Sequence, residues 1–565
     1  MPCKAPPTGA ARATTCGCKA MAQSLKPNAM VVCPQPEAAE TGIEILERGG
    51  NAVDAAIACA LAQGVVDPLM CGIAGFGSAA VYLPGQGVHR YLDFHAPAPA
   101  AAREDMWEDL VRGETRDGFG FILEGRVNDL GYQSIAVPTA LKAYETLHRA
   151  HGRLPWKTLF EPAVAWAQDG FFVRPAMHTF FMEGAKMGRA ATAERLAYSA
   201  DGRALYCRPD GTPKEIGAPL ANPDYAVTLQ RIAEAGADTF YGGDIAATIA
   251  ADMASHGGLL SQEDLASYRP RWSEPLTASY RGRRITTNQP PGGGVMLIEM
   301  LNILEHFDLR ALGHNSPDYV RIVCEAMKRA TIDKDRYVGD PDFVTIPLDQ
   351  MTDKAHAGAM ADEIKRGVRA SVPRLKRNDH ESVNTTHLCV VDGEGGHVLM
   401  THSLGMPSGV ITEGLGFFYN GCMGVFDPRP GRVGSIAPGK SRFSAMCPTI
   451  VFEDDQPVLA LGAPGGTQIV MGVLQTILNV FDFGMDIREA VAAPRFSSTG
   501  DSIDVSNRIP RSVTRALEAD GYEVIRNPYG HTIGWVHAIR MTRGEIVGAA
   551  DPGRDGVAYA ASIST

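Results

Sequence analysis

The sequence predicts a large α+β fold, and three observations carry that prediction. The chain has 565 residues, beyond the roughly 250–300 at which one hydrophobic core stops growing. Two layers of core, or two domains, are therefore expected. Residues 381–405, ESVNTTHLCVVDGEGGHVLMTHSLG, hold two alternating apolar runs around Asp392-Gly393, the pattern of a β-hairpin. Residues 468–481, QIVMGVLQTILNVF, place Ile469, Val473, Leu474, Ile477 and Leu478 on one helical face.

The strands of the hairpin are expected over 386–391 and 397–404. Ile43, Leu46, Val53, Ala56, Ile57 and Ala60 recur at helical spacing and predict a helix over 42–62, interrupted at Gly49-Gly50-Asn51. VYLP and YLDF, between residues 81 and 94, read as strands, as does RFSAMCPTIVFEDD from Arg442.

Composition excludes several classes of function. Hydrophobic residues make up 45% and charged residues 21%, ordinary for a globular protein. A net charge of −11 opposes nucleic-acid and anionic-membrane partners. No apolar run reaches the ~18–20 residues of a membrane span. Residues 1–27 have no continuous apolar stretch and read as a flexible extension rather than a secretory signal, with Met21 a more natural start. Eleven cysteines, thinly spread, read as free buried thiols rather than a disulfide framework. Cys16-Gly-Cys18 has no second Cys/His pair at zinc spacing, so no metal is expected.

Asn384-Thr385-Thr386-His387, followed by Val390-Val391-Asp392, resembles the self-processing junction of the γ-glutamyltransferase family of N-terminal nucleophile hydrolases. GGNAVDAA at 49–56, QPPGGGVMLIEML at 289–301, APGGTQ at 463–468 and the closing GRDGVA resemble further family segments in the same order. The resemblance implies a four-layer αββα sandwich and cleavage between Asn384 and Thr385. The large subunit would span 28–384 and the small subunit 385–565, with a dimer of such units left open. It also implies Thr385 as nucleophile, Gly465 and Gly466 as the oxyanion hole, and Ser403, where the family usually has Thr, as the hydroxyl bonded to the nucleophile. The chemistry has a physical reason. A Thr hydroxyl needs a neighbouring base, and a chain-terminal Thr carries an α-amine of pKa about 7.7–8.0. No cofactor is needed. Family members in bacteria are often exported, so the missing signal favours a cytoplasmic location.

The chain departs from the family where the γ-glutamyl group is held. The family's Asp-Phe-Arg is here Asp93-Phe94-His95, and its Ser-Ser pair is Ser444-Ala445. The Asn, Gln and Asp that hold the substrate ammonium align with Gly405, Cys422 and Val425. A buried charge without its partner costs about 3–5 kcal/mol, so the pocket is expected to take a small-molecule amide whose acyl group lacks the α-amine. An oxamate-like or glutaryl-like half-amide fits, with His95, Lys440 and Arg442 available to attract its carboxylate. The alternatives are a true γ-glutamyltransferase or glutathione hydrolase, and an uncut, silent binding protein.

Two further motif matches are expected to be empty. GSIAPGKS at 434–441 fits a Walker A pattern but follows a Pro/Gly/Arg stretch and precedes a strand-like run, where a P-loop needs strand then helix. GFGSAA at 75–80 fits G-x-G-x-x-A, but a helix-like run precedes it and Asp93 is too near to serve a ribose.

Overall fold

The computed structural model describes residues 26–115, 120–185, 189–372, 385–528, 530, 533–542 and 544–563. The expected extension lies, up to residue 25, outside the described residues, as does Asn384.

Two sheets form the centre. The first has seven strands in the order Val557–Ala561, Ala29–Cys33, Thr386–Val391, His397–Ser403, Phe76–Leu83, Val88–Phe94, Arg271–Ser273. The second has six, in the order Glu545–Ala550, His537–Thr542, Gln456–Gly462, Thr449–Glu453, Arg283–Thr287, Leu276–Tyr280. Between them lies an apolar layer that includes Val32, Tyr91, Cys389, Leu399, Phe452 and Ile539. Helices Pro36–Glu47, Ala52–Val66 and Ala140–His151 bury their apolar faces on the first sheet, and Trp156–Asp169 packs outside Ala52–Val66. Helices Gly294–Leu304 and Gln468–Phe481 pack on the second, and Pro317–Tyr337 packs outside Gly294–Leu304. The result is the four-layer αββα sandwich. Sheets whose inner faces alternate with outer faces can bury both only between layers of this kind.

The hairpin sits at the middle of the first sheet. Its register pairs Thr386 with His402 and Val391 with His397, and His397–Ser403 pairs in turn with Tyr82–Phe76. Every residue of both strands is buried. Asp392 ties the turn to the neighbouring helix: its carboxylate accepts from the backbone N–H of Gly396 (2.7 Å), Glu394 (3.0 Å) and Ala52 (2.9 Å).

The single interrupted helix expected over 42–62 is two helices, Pro36–Glu47 and Ala52–Val66. Gly49 adopts φ +90°, a conformation that suits a residue without Cβ. Asn51 caps the second helix by accepting from Val53 and Asp54 N–H, and Asp54 reciprocates to Asn51 N–H, a capping box. The helix Gln468–Phe481 is buried on nearly all sides rather than one face. Its turn outward at Gly472 is filled by the backbone of Gly534, 2.9 Å from where a Cβ would lie. The strand expected from Arg442 begins only at Thr449; residues 442–448 run extended without ladder pairing.

Both decoy motifs have structural explanations. Residues 434–441 form no strand-to-helix turn, and the next regular element is a strand. GFGSAA enters the strand Phe76–Leu83, and its glycines let that strand approach the hairpin. A Cβ on Gly75 would lie 2.4 Å from Ser403 O, and one on Gly77 2.3 Å from Thr401 O. Gly77→Ala is expected to lower stability by about 1–3 kcal/mol, the usual penalty of overpacking. The denaturant midpoint measures this, and an unchanged midpoint would show that the hairpin yields freely.

Candidate active site

Thr385 is the residue immediately before the first hairpin strand, and Ser403 ends the second. The Thr386–His402 pairing therefore brings the two hydroxyls side by side, Thr385 Oγ1 to Ser403 Oγ at 3.1 Å. Gly405 N–H donates to Ser403 Oγ at 2.8 Å, which orients that hydroxyl. Both side chains are buried, at 3% and 1% exposure, yet both reach one cavity of about 760 Å³, part of it open to solvent.

Beneath the pair runs a buried polar chain that the sequence did not reveal. Gln63 Nε2 donates to Thr386 Oγ1 (3.0 Å) and to Gln35 Oε1 (2.6 Å), and Gln35 Nε2 donates to Asp67 (2.7 Å). Gln63 Oε1 meets His402 Nε2 at 2.8 Å, and His402 Nδ1 meets the Tyr144 hydroxyl at 2.8 Å. Such satisfied networks fix side chains that would otherwise be costly to bury. Arg554, in the closing GRDG loop, donates from Nη1 to the Thr385 carbonyl at 2.9 Å. Its guanidinium packs against the rings of Phe180 (4.6 Å) and Trp535 (4.2 Å). Burial lowers its pKa to about 10, so it stays cationic at neutral pH. Nothing in the spacing of GRDG distinguishes this arginine from any loop arginine; only the fold brings it to Thr385.

Of the residues expected at the site, Gly405, Cys422, Val425, Ser444 and Gly466 line the same cavity as Thr385 and Ser403. Gly465 (φ +144°) and Gly466 (φ +55°) form the turn that leads into the helix Gln468–Phe481. Helix N-termini of this kind present backbone N–H groups to negative charge. Two expectations fall elsewhere. His95 does not line the cavity: its Nδ1 pairs with Asp93 Oδ1 at 2.6 Å, and it stands beside the Phe76 ring, 6.4 Å between centroids. Ala445 is 1% exposed within the apolar core of the second sheet.

The cavity's charge comes from arginines. Arg442 was singled out in the sequence as an anion-attracting residue, Arg189 was not, and both line the cavity. The Arg442 guanidinium packs on the Phe76 ring at 4.4 Å. Burial, with a further contribution from Arg189, lowers its pKa. Arg126 also lines the cavity but is paired with Glu194 at 2.6 Å. Lys440 is buried away from the cavity, over the Phe343 ring at 5.9 Å. The one acidic residue among the described lining residues is Asp129, whose two oxygens each accept from Arg195 Nη2 at 2.6 Å. Burial holds the Cys422 thiol up at about 12, so it is neutral at pH 7.

The αββα sandwich with a threonine at the head of a central strand defines an N-terminal nucleophile hydrolase. The chain belongs to the gamma-glutamyltranspeptidase family: the model of that family, described as Gamma-glutamyltranspeptidase, matches residues 38–561. It is 37% identical over 543 residues to the Acylase ACY 1 proenzyme of Pseudomonas sp. (strain V22), covering 94% of this chain and 93% of that protein. It is 32% identical over 542 residues to the Glutathione hydrolase proenzyme of Escherichia coli (strain K12), covering 93% and 90%. Among solved structures, a cephalosporin acylase from Bacillus halodurans superposes with a TM-score of 0.83 at 28% identity, covering 98% of each chain. The protein is thus a self-processing amidohydrolase of this family.

The buried histidines give the site's surroundings a defined pH response. Burial lowers His402 and His537 to about 3 and His397 to about 4. The unfolded chain protonates its histidines near 6.5, so the stability they confer is complete above that pH and is lost as pH falls toward 3–4. Each contributes a slope of up to about 1.4 kcal/mol per pH unit in that window. His402→Gln is expected to flatten the stability profile by one such increment. Urea unfolding of both proteins at successive pH values measures it, and parallel profiles would contradict the buried neutral state of His402.

Proposed function

We propose that this protein is an acylase that hydrolyses the amide of a dicarboxylic acid, glutaryl-like or oxamate-like, through Thr385 released by cleavage after Asn384. The charge of the cavity carries this reading. Three arginines line it, Arg126, Arg189 and Arg442, the first of them paired with Glu194, and its one acidic side chain among the described residues is already engaged by Arg195. A substrate ammonium would meet no counter-charge at Gly405, Cys422 or Val425, whereas a terminal carboxylate would meet guanidinium groups suited to it.

The described lining residues include no His, Lys or Glu, so no ordinary side-chain base stands ready to take the Thr385 proton. The freed α-amine supplies one, directly or through a water. In the reaction Thr385 Oγ1 attacks the substrate carbonyl and passes its proton to that amine. Ser403 Oγ, 3.1 Å away, steadies the attacking oxygen. Gly465 and Gly466 N–H groups take the developing negative oxygen, each such donor contributing about 10²–10³ in rate. The protonated amine then delivers the proton to the leaving nitrogen, and water releases the acid from Thr385 by the reverse sequence. Two acylase relatives support the reading by their names: the Acylase ACY 1 proenzyme and the cephalosporin acylase.

Intact mass and N-terminal sequencing test the nucleophile. Two chains are expected, the smaller beginning Thr-Thr-His-Leu, and Thr385→Ala is expected to remain one chain with no activity. A cut elsewhere, or activity in that variant, would overturn the assignment. Glutaryl-p-nitroanilide is expected to be turned over in preference to γ-glutamyl-p-nitroanilide, and Arg442→Gln to lower kcat/KM for the former at least about 30-fold, the kinetic equivalent of about 2 kcal/mol. Preference for the γ-glutamyl compound would favour a glutathione hydrolase.

A further inference from the structure

On the outer side of the second sheet three helices meet: Gly294–Leu304, Pro317–Tyr337 and Lys354–Lys365. Their contact is mostly apolar, through Met300, Ile303, Ala326, Ala330, Ala357 and Ala361. One polar point interrupts it. Glu299 is fully buried, and neither of its carboxylate oxygens has a hydrogen-bond partner. Asp333 faces it from the second helix and His356 from the third. Asp333 Oδ2 and His356 Nε2 stand 3.5 Å apart, each without a hydrogen bond. One ligand atom from each of the three residues lies within 4.8 Å of the other two.

Two carboxylates that share a buried site cannot both stay ionised unless a cation stands between them. The donor set is one imidazole nitrogen with two carboxylates. Oxygen-only sites suit Mg²⁺ and Ca²⁺, and an imidazole shifts the preference toward a first-row transition ion. Zn²⁺ bonds such nitrogen and oxygen atoms at about 2.0–2.2 Å, which these side chains reach by a small inward shift. The Asp333 and His356 side chains are 13% and 26% exposed, so the site has a route of entry from solvent.

We propose that Glu299, Asp333 and His356 bind a divalent transition-metal ion of the Zn²⁺ class, with water completing its shell. The ion would clamp the three helices together. It stands apart from the amide chemistry, whose cavity is lined by none of the three residues. Its mechanical link to that cavity is Gly293, which precedes the first of the helices and donates its N–H to Met446 O at 2.8 Å, two residues from Ser444. Sequence reading expected no metal because the ligands come from three separate helices and leave no local spacing to find.

The test is calorimetric titration of ZnCl₂ into the chelator-treated full chain and into His356→Ala and Glu299→Gln. The wild-type chain is expected to bind one Zn²⁺ at this site and to gain thermal stability with it. Loss of a direct ligand in His356→Ala should weaken that binding by more than the roughly 10–100-fold seen when an outer-shell partner is removed. Glu299→Gln should likewise abolish the thermal shift while retaining shape. Amide hydrolysis by His356→Ala is expected to match the wild type, which keeps this test separate from that of the acylase. Equal binding and equal thermal shift in all three proteins would place any zinc elsewhere, for example on Cys3, Cys16 and Cys18, and overturn the proposal. No binding to the wild type would do the same, and would leave Glu299 neutral through a proton shared with Asp333.

Discussion

The register of one hairpin governs this molecule. Because Thr386 pairs with His402, Thr385 and Ser403 stand hydroxyl to hydroxyl at the end of the ladder. A slip of one residue would turn every side chain of the strand to the opposite face of the sheet. The polar layer under Thr386 and the apolar layer around Cys389 and Leu399 would then exchange surroundings. Much of the neighbouring structure prevents that slip. Asp392 anchors the turn to the start of the helix Ala52–Val66, Gly75 and Gly77 admit the next strand at close range, and Arg554 holds the Thr385 carbonyl. The hydroxyl pair is thus placed by the sheet, a rigid element, rather than by a loop, and rigid support is what a catalytic arrangement requires.

How much of this was legible in the sequence depended on how local each signal was. The hairpin could be read because alternation and an Asp-Gly turn are contained within a short stretch. GGNAVDAA could be read as a helix boundary for the same reason, although the cap and the reciprocal bond of Asp54 make it two helices rather than one kinked helix. The lining by Gly405, Cys422, Val425, Ser444 and Gly466 followed from a family resemblance laid residue by residue along the chain. Gln35, Gln63, Asp67, Arg189 and Arg554 gave no local pattern, since each acts on a partner far away in sequence. His95 misled because position in an aligned stretch does not fix direction. Its imidazole is drawn to Asp93 two residues away and stands beside the Phe76 ring, on which Arg442 also packs.

That displacement changes how the cavity's charge is understood. In place of an arginine just after the strand Val88–Phe94, at the position of His95, the cavity's cations include Arg442, on the segment leading into the strand Thr449–Glu453, and Arg189. Arg442 is held against an aromatic ring with its charge largely desolvated, so an incoming carboxylate would replace little water and meet a preorganised guanidinium. Gly405, Val425 and a neutral Cys422 beside Arg442 offer nothing to an ammonium. Under the proposed acylase reading, moving the cation to Arg442 and Arg189 would change the acyl group accepted without touching Thr385, Ser403 or the glycine pair.

The topology also explains why a cut at residue 384 would not separate the two products. In the seven-stranded sheet, strands from before and after the cut alternate: Val557–Ala561 pairs with Ala29–Cys33, which pairs with Thr386–Val391, and His397–Ser403 pairs with Phe76–Leu83. In the second sheet Arg283–Thr287 pairs with Thr449–Glu453 across the same divide. Three of these four ladders cross the seven-stranded sheet and the fourth joins the six-stranded one, so pulling the products apart would break both sheets and expose the apolar layer between them. Cleavage therefore removes one covalent bond from a structure whose cohesion does not depend on it. What the cut changes is confined to the residue that gains an amine, and that residue already lies 3.1 Å from its partner hydroxyl. The pairing of the two hydroxyls is therefore in place before any such cleavage.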